Sequence, residues 1–192
     1  MGVTCTIVPR SDRKIVAMSQ QMPGERVEAN IDVVEPGDVR GWAAYVIGTA
    51  WALRERGIRV PGADIHIAST VPAGAGLSSS AAVECAVALA ILSQAGETME
   101  PREVARVAKQ AENDFVGAPT GSMDQVASML SQRDSLLFFD TGLDTTRSVP
   151  FHLEEHDLHL LVIDTHAHRS EEHTSELQSH LNLVCRLLLE KK

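Results

Sequence analysis

The 192-residue chain is 44% hydrophobic and 22% charged, enough to bury one core and unlike a low-complexity or disordered polymer. Seventeen Lys and Arg against 26 Asp and Glu leave a net charge of -9 with no basic block, so nucleic acid is not an expected partner. The longest small and apolar run, 81–92, contains Glu84 and falls short of the roughly 20 residues that cross a bilayer; residues 1–21 lack the apolar block of a secretory signal.

No membrane partner is therefore expected, and the chain reads as soluble and cytoplasmic. Cys5, Cys85 and Cys185 are odd in number and far apart, which suits a reducing compartment better than a disulfide framework. In chain order, β-rich pieces come first, at 3–8, 14–19 and 26–32. Pro9, Ser11, Asp12, Pro23 and Gly24 stand between them as turn signals, and the pattern predicts a meander. Over 41–56 the residues Trp42, Tyr45, Val46, Thr49, Ala52 and Leu53 recur at helical spacing, with Gly57 as a stop, which predicts an amphipathic helix. Residues 64–69 alternate as a strand.

The next stretch, VPAGAGLSSSAA at 71–82, predicts a glycine-rich loop feeding a helix over 81–92. Such a junction offers unpaired backbone N–H groups and about half a positive charge, which suits an anion and above all a polyphosphate. Its serines can cap the helix, donate to phosphate or offer oxygen to Mg²⁺. Leu77 stands where a Walker loop has Lys, and Ser79 where a dinucleotide fingerprint has its third glycine. An ordinary glycine turn with a serine cap remains the plain alternative.

Pro101 starts a second helix whose stripe is Val104, Val107, Ala108, Ala111 and Phe115. Glu112 borders that stripe, either as a surface partner of Lys109 or as a magnesium ligand. Asp124 follows Gly117, Pro119 and Gly121, and its plain reading is the N-cap of a helix over 125–130. Trp42, Tyr45 and Trp51 read as packing rather than as an adenine contact, Glu84 as a dipole partner in its helix, and Cys85 as an inert buried thiol.

The segment RSEEHTSELQS at 169–179 matches, codon by codon, the translation of a common sequencing adapter, and HLNLVCRLLLEKK at 180–192 continues that frame. The expected division is thus 1–168 as a partial natural domain and 169–192 as an artefactual tail; its Leu181, Val184, Leu187 and Leu188 fit a helical stripe but carry no functional weight. His173 and His180 fall inside that tail. The remaining late histidines, His152, His156, His159, His166 and His168, have no acidic or thiolate partner at a recognised spacing, so no zinc site is expected.

PAGAGLSSSAAVE at 72–84, AEN with Glu112, and GAPTGSMDQ at 117–125 together resemble the galactokinase branch of the GHMP small-molecule kinases. The resemblance runs over about 3–168, where LLFFDT, RSVPF and LHLLVIDT fall on further strands of the family. It implies an α+β fold, the GHMP kinase N-terminal domain akin to domain 2 of ribosomal protein S5, with helices on one face of a mixed sheet and incomplete here. It also implies that Gly74, Ala75, Gly76, Leu77, Ser78, Ser79 and Ser80 bind ATP, that Ser80 and Glu112 hold Mg²⁺, and that Asp124 is the catalytic and substrate-binding residue. The acceptor implied is galactose. The serine triplet and the spacing of 12 between Glu112 and Asp124 favour this branch over mevalonate or homoserine kinase. Another GHMP kinase, or a homologue that senses nucleotide and sugar without turnover, is the alternative.

The departures are specific. The chain has no counterpart of the family's GRTNLIGEHTDYNGG segment or of its third glycine-rich motif. Thr120 stands where Cys is common, and Thr141, Gly142 and Leu143 replace Cys-Arg-Ser. The polypeptide as written is expected to be inactive, because substrate, metal and stabilising charge must act together.

Overall fold

The computed structural model describes residues 1–72, 76–153, 155, 158, 159 and 161. Four strands, β1 (Val3–Pro9), β2 (Lys14–Ser19), β3 (Met22–Asn30) and β4 (Ala63–Ser69), form one mixed sheet in the order β1-β4-β2-β3. β2 and β3 are a hairpin, β4 is parallel to β2, and β1 is antiparallel to β4. The expected meander is therefore half right, because β4 enters between β1 and β2. In β4, Ala63, Ile65 and Ile67 are buried on one face while His66 is exposed on the other, and the strand pairs with β1 along one edge and β2 along the other. Gly62 permits the approach. A Cβ there would lie 1.9 Å from the Asp12 carbonyl oxygen, and Arg10 N–H bonds the Gly62 carbonyl at 2.9 Å. Pro23 and Gly24, read as turn residues, lie within β3, where an edge strand tolerates a missing donor.

Helix α1 (Trp42–Glu55) is buried along ten of its 14 residues. The expected amphipathic helix is thus nearly enclosed, between the sheet and the helices behind it, as an apolar surface all round requires. Gly48 sets the closeness of this packing, since a Cβ there would stand 2.8 Å from Phe115 Cδ1. Trp51 and Phe115 meet beside it with ring centroids 5.7 Å apart. Trp42 is only half-buried and donates its indole N–H to Glu25 at 2.7 Å.

Helix α2 (Ser79–Ala95) ends at Gly96 in a left-handed turn. Helix α3 (Pro101–Gln110) starts with its proline and buries Val104, Ala105, Val107 and Ala108. It then widens into a π-helical turn, Ala111–Val116, that stops at Gly117. The single expected helix through Phe115 is therefore two pieces. Helix α4 (Met123–Leu130) follows with Ser122 at its N-cap position, without a side-chain capping bond, so Asp124 is in the first turn and is not the N-cap.

The last described elements are β5 (Ser135–Asp140) and β6 (Thr145–Pro150), a separate antiparallel hairpin that carries the first two of the three late segments. Arg102 and Arg106 of α3 pair with Asp144 at its turn. The third segment, 158–165, lies mostly outside the described residues, as do the tail 169–192, Cys185 and the histidines His156, His166, His168, His173 and His180. No helix among the described residues is long and apolar enough to cross a membrane.

Candidate functional site

The chain reaches the amino end of α2 through a bent loop. Gly74 and Ala75 lie outside the described residues; Gly76 has φ +70° and Leu77 is exposed. Ser78, at the N-cap, is left-handed with φ 55° and ψ 42°, and its side chain makes no capping bond. The serines read as possible caps of a helix over 81–92 thus stand differently: the helix begins at Ser79 and its N-cap serine makes no side-chain cap. A non-glycine residue in this region costs about 1–2 kcal/mol, so the surrounding fold holds it there. The first intrahelical bond is Ala82 N–H to the Ser78 carbonyl at 3.1 Å. The N–H groups of Ser79, Ser80 and Ala81 precede it and form the open positive end of the helix, with no acidic residue in its first turn. Ser79 and Ser80 are half-buried.

One turn beyond Ser80 lies Glu84, fully buried and past the first turn of α2, where the dipole effect read for it has fallen off. Glu112 is 2% exposed at the start of the π-helical turn, which removes the reading of a surface pair with Lys109. Its Oε2 accepts two hydrogen bonds, from Thr120 Oγ1 at 2.6 Å and from Gln125 Nε2 at 2.6 Å. The same Gln125 nitrogen is 3.4 Å from Glu84 Oε2. Asn113 clamps the backbone of Thr120, accepting its N–H at 3.2 Å and donating to its carbonyl at 3.2 Å. Asp124 immediately precedes Gln125, is half-buried, and has no hydrogen bond or ion pair among the described residues.

Four elements thus meet in one cluster: α2 through Glu84, the π-helical turn through Glu112, the following loop through Thr120, and α4 through Gln125. Ser80 lies one turn before Glu84 on α2 and Asp124 immediately before Gln125 on α4, and neither side chain hydrogen-bonds to the cluster among the described residues. Cys85, beside Glu84, reports the electrostatics: burial, then the Glu84 and Glu112 charges, push its thiol up to about 12. It is the inert thiol the sequence implied. Among the described residues, no Lys, Arg or His ion-pairs with Glu112.

Sequence reasoning missed Thr120 and Gln125 as site residues and misplaced Glu84. A signal existed for the latter two. Glu84 lies three residues after Ala81 and three before Val87, and Gln125 lies beside Val126 and four before Met129, so both share the buried side of their helices. Thr120 sits in an irregular loop, where periodicity says nothing.

Residues 44–132 match the family described as GHMP kinases N terminal domain. The chain is 42% identical over 170 residues to a galactokinase of Streptomyces coelicolor, an alignment covering 86% of this chain and 44% of that protein. It is 41% identical over 162 residues to a galactokinase of Mycobacterium tuberculosis, covering 84% of this chain and 44% of that one. The crystal structure of Lactococcus lactis galactokinase complexed with galactose superposes with a TM-score of 0.75 at 27% identity, over 82% of this chain and 40% of that chain. The Methanococcus jannaschii mevalonate kinase, 18% identical with a TM-score of 0.66 over 80% of this chain and 47% of that one, shares the fold. The chain therefore spans less than half the length of the curated relatives it matches.

Proposed function

We propose, from a chain that carries the GHMP kinase N-terminal domain and is similar to galactokinases along most of its length, that it belongs to an ATP-dependent galactokinase. The reaction moves the γ-phosphoryl group of ATP to the anomeric hydroxyl of galactose, giving ADP and galactose 1-phosphate. Residues 1–168 supply part of the nucleotide half of the site, and 169–192 are set apart as a tail. A cytoplasmic location fits the substrates.

One observation supports this reading most: a glycine–serine loop ends at an uncapped helix amino end, and the same helix carries a side chain of the cluster around buried Glu112. Gly74, Ala75, Gly76, Leu77, Ser78, Ser79 and Ser80 would wrap the phosphates with backbone N–H groups. Ser80 and Glu112 would hold Mg²⁺. The donor set fits a hard cation, being a hydroxyl and a buried carboxylate without a basic partner. No three His, Cys, Asp or Glu side chains among the described residues form a metal cage, so phosphate oxygens and water would complete the coordination. When bound, the ion neutralises charge on the phosphate oxygens. Asp124 would orient the sugar hydroxyl and take its proton late, since an ordinary carboxylate is a weak base for an alcohol. The transition state is loose, so this alignment is most of the chemistry the side chains perform.

The test is ADP titration of this chain with and without Mg²⁺, followed by phosphoryl transfer to galactose, mevalonate and homoserine in an intact homologue that adds the segments this chain lacks. Transfer to galactose is the expected result. Transfer to another alcohol alone moves the chain to another branch of the family, and binding without transfer to any acceptor favours a sensing role. Failure to bind nucleotide overturns the reading.

A further inference from the structure

Glu112 is gripped asymmetrically. Both short bonds, from the Thr120 hydroxyl and the Gln125 amide, fall on Oε2, and no hydrogen bond from the described residues reaches Oε1. Gln125 is fully buried and faces carboxylate oxygens of Glu84 and Glu112, so acceptor chemistry fixes which end of its amide points inward. Its own Oε1 is buried without a hydrogen-bond partner, so the two carboxylates account for its orientation. Thr120 is held in turn by the Asn113 backbone clamp. Such an arrangement limits rotation of the Glu112 carboxylate and keeps one oxygen engaged by protein.

We propose that Thr120 and Gln125 are positioning residues for a divalent cation bound with nucleotide: they hold Oε2 of Glu112 so that Oε1 is left for the ion. The proposal rests on the kinase reading above and adds to it the two residues that set the direction of the ligand. Outer-shell partners of this type alter metal affinity by about 10–100-fold when removed.

The experiment uses the full chain and measures the ratio of ADP dissociation constants without and with Mg²⁺, by calorimetry. Gln125→Met preserves volume, and Thr120→Val preserves shape, but each removes one donor. Each should lower the Mg²⁺ enhancement by roughly tenfold or more while leaving metal-free ADP affinity unchanged, and Thr120→Ser should restore it. A general loss of packing would weaken both constants together and would not be rescued by serine. An unchanged enhancement in Gln125→Met, or in Thr120→Val if the former does not fold, overturns the proposal alone. If the wild-type chain binds no ADP in either condition, the kinase reading falls and the proposal with it.

Discussion

At the scale of single residues, Ser78 couples backbone conformation to the site. It occupies the left-handed region that glycine adopts without penalty, at the mouth of α2. Ser78→Gly should leave stability equal or raised by up to about 1 kcal/mol, whereas Ser78→Val should lower it by about 1–2 kcal/mol, both read by urea unfolding. Under the proposed function, the change equivalent to Asp124→Asn in an intact homologue should lower phosphoryl transfer about 10²–10⁴-fold while nucleotide affinity is nearly unchanged. A variant that keeps wild-type turnover would remove Asp124 from its role. The serine loop, Glu112 and Asp124 were visible as letters at recognisable spacing. Periodicity marked the buried side on which Gln125 lies but not its role, and it said nothing of Thr120, because a hydrogen-bond donor becomes a site residue only when another segment delivers its acceptor.

Among the elements, α1 and the π-helical turn pack closely at Gly48 and Phe115. Ala is the better helix former by up to about 1 kcal/mol, but a Cβ at position 48 would press on Cδ1, Cβ and Cγ of Phe115 at 2.8–3.0 Å. Because Phe115 Cβ is among those atoms, rotating the ring does not clear the space. Overpacking of this kind costs about 1–3 kcal/mol, so Gly48→Ala should show a net loss in denaturant unfolding, and Phe115→Leu in the same chain should recover part of it. The strands and helices themselves were legible from periodicity and punctuation. The break at Gln110 was not: the apolar stripe runs on through Phe115, and the extra residue of a π turn leaves no mark in it. That turn carries Glu112 at its second residue, already buried.

Across the whole molecule, titration should squeeze stability from both sides. The Arg10 guanidinium holds the Asp12 carboxyl down at about 2, and Lys14, Arg13 and Arg106 lower Glu28, Asp32 and Asp144 through hydrogen bonds. These depressed carboxylates contribute stability above pH ~4 that is lost as pH falls through their folded values; being at the surface, they contribute less as salt rises. Burial raises Cys5 to about 11 and Cys85 to about 12 from an ordinary value of 9.0. Stability from these thiols is complete below pH ~9 and declines above it, because the unfolded chain releases its protons first. Melting temperature followed by circular dichroism should fall on both limbs, and Cys85→Ala should flatten the alkaline one.

Taken alone, the amino-acid sequence determined the α+β class, the loop that opens α2 and the family resemblance, because each is written in local spacing: a period of two or of about 3.6, a glycine at a turn, a fixed run of residues. The tertiary structure decided that β4 lies between β1 and β2, that α1 is enclosed, and that Glu84, Glu112, Thr120 and Gln125 share one buried network. Those outcomes depend on which surfaces meet after the chain has closed on itself, and contacts between residues 41 positions apart, such as Gln125 with Glu84, have no period to announce them.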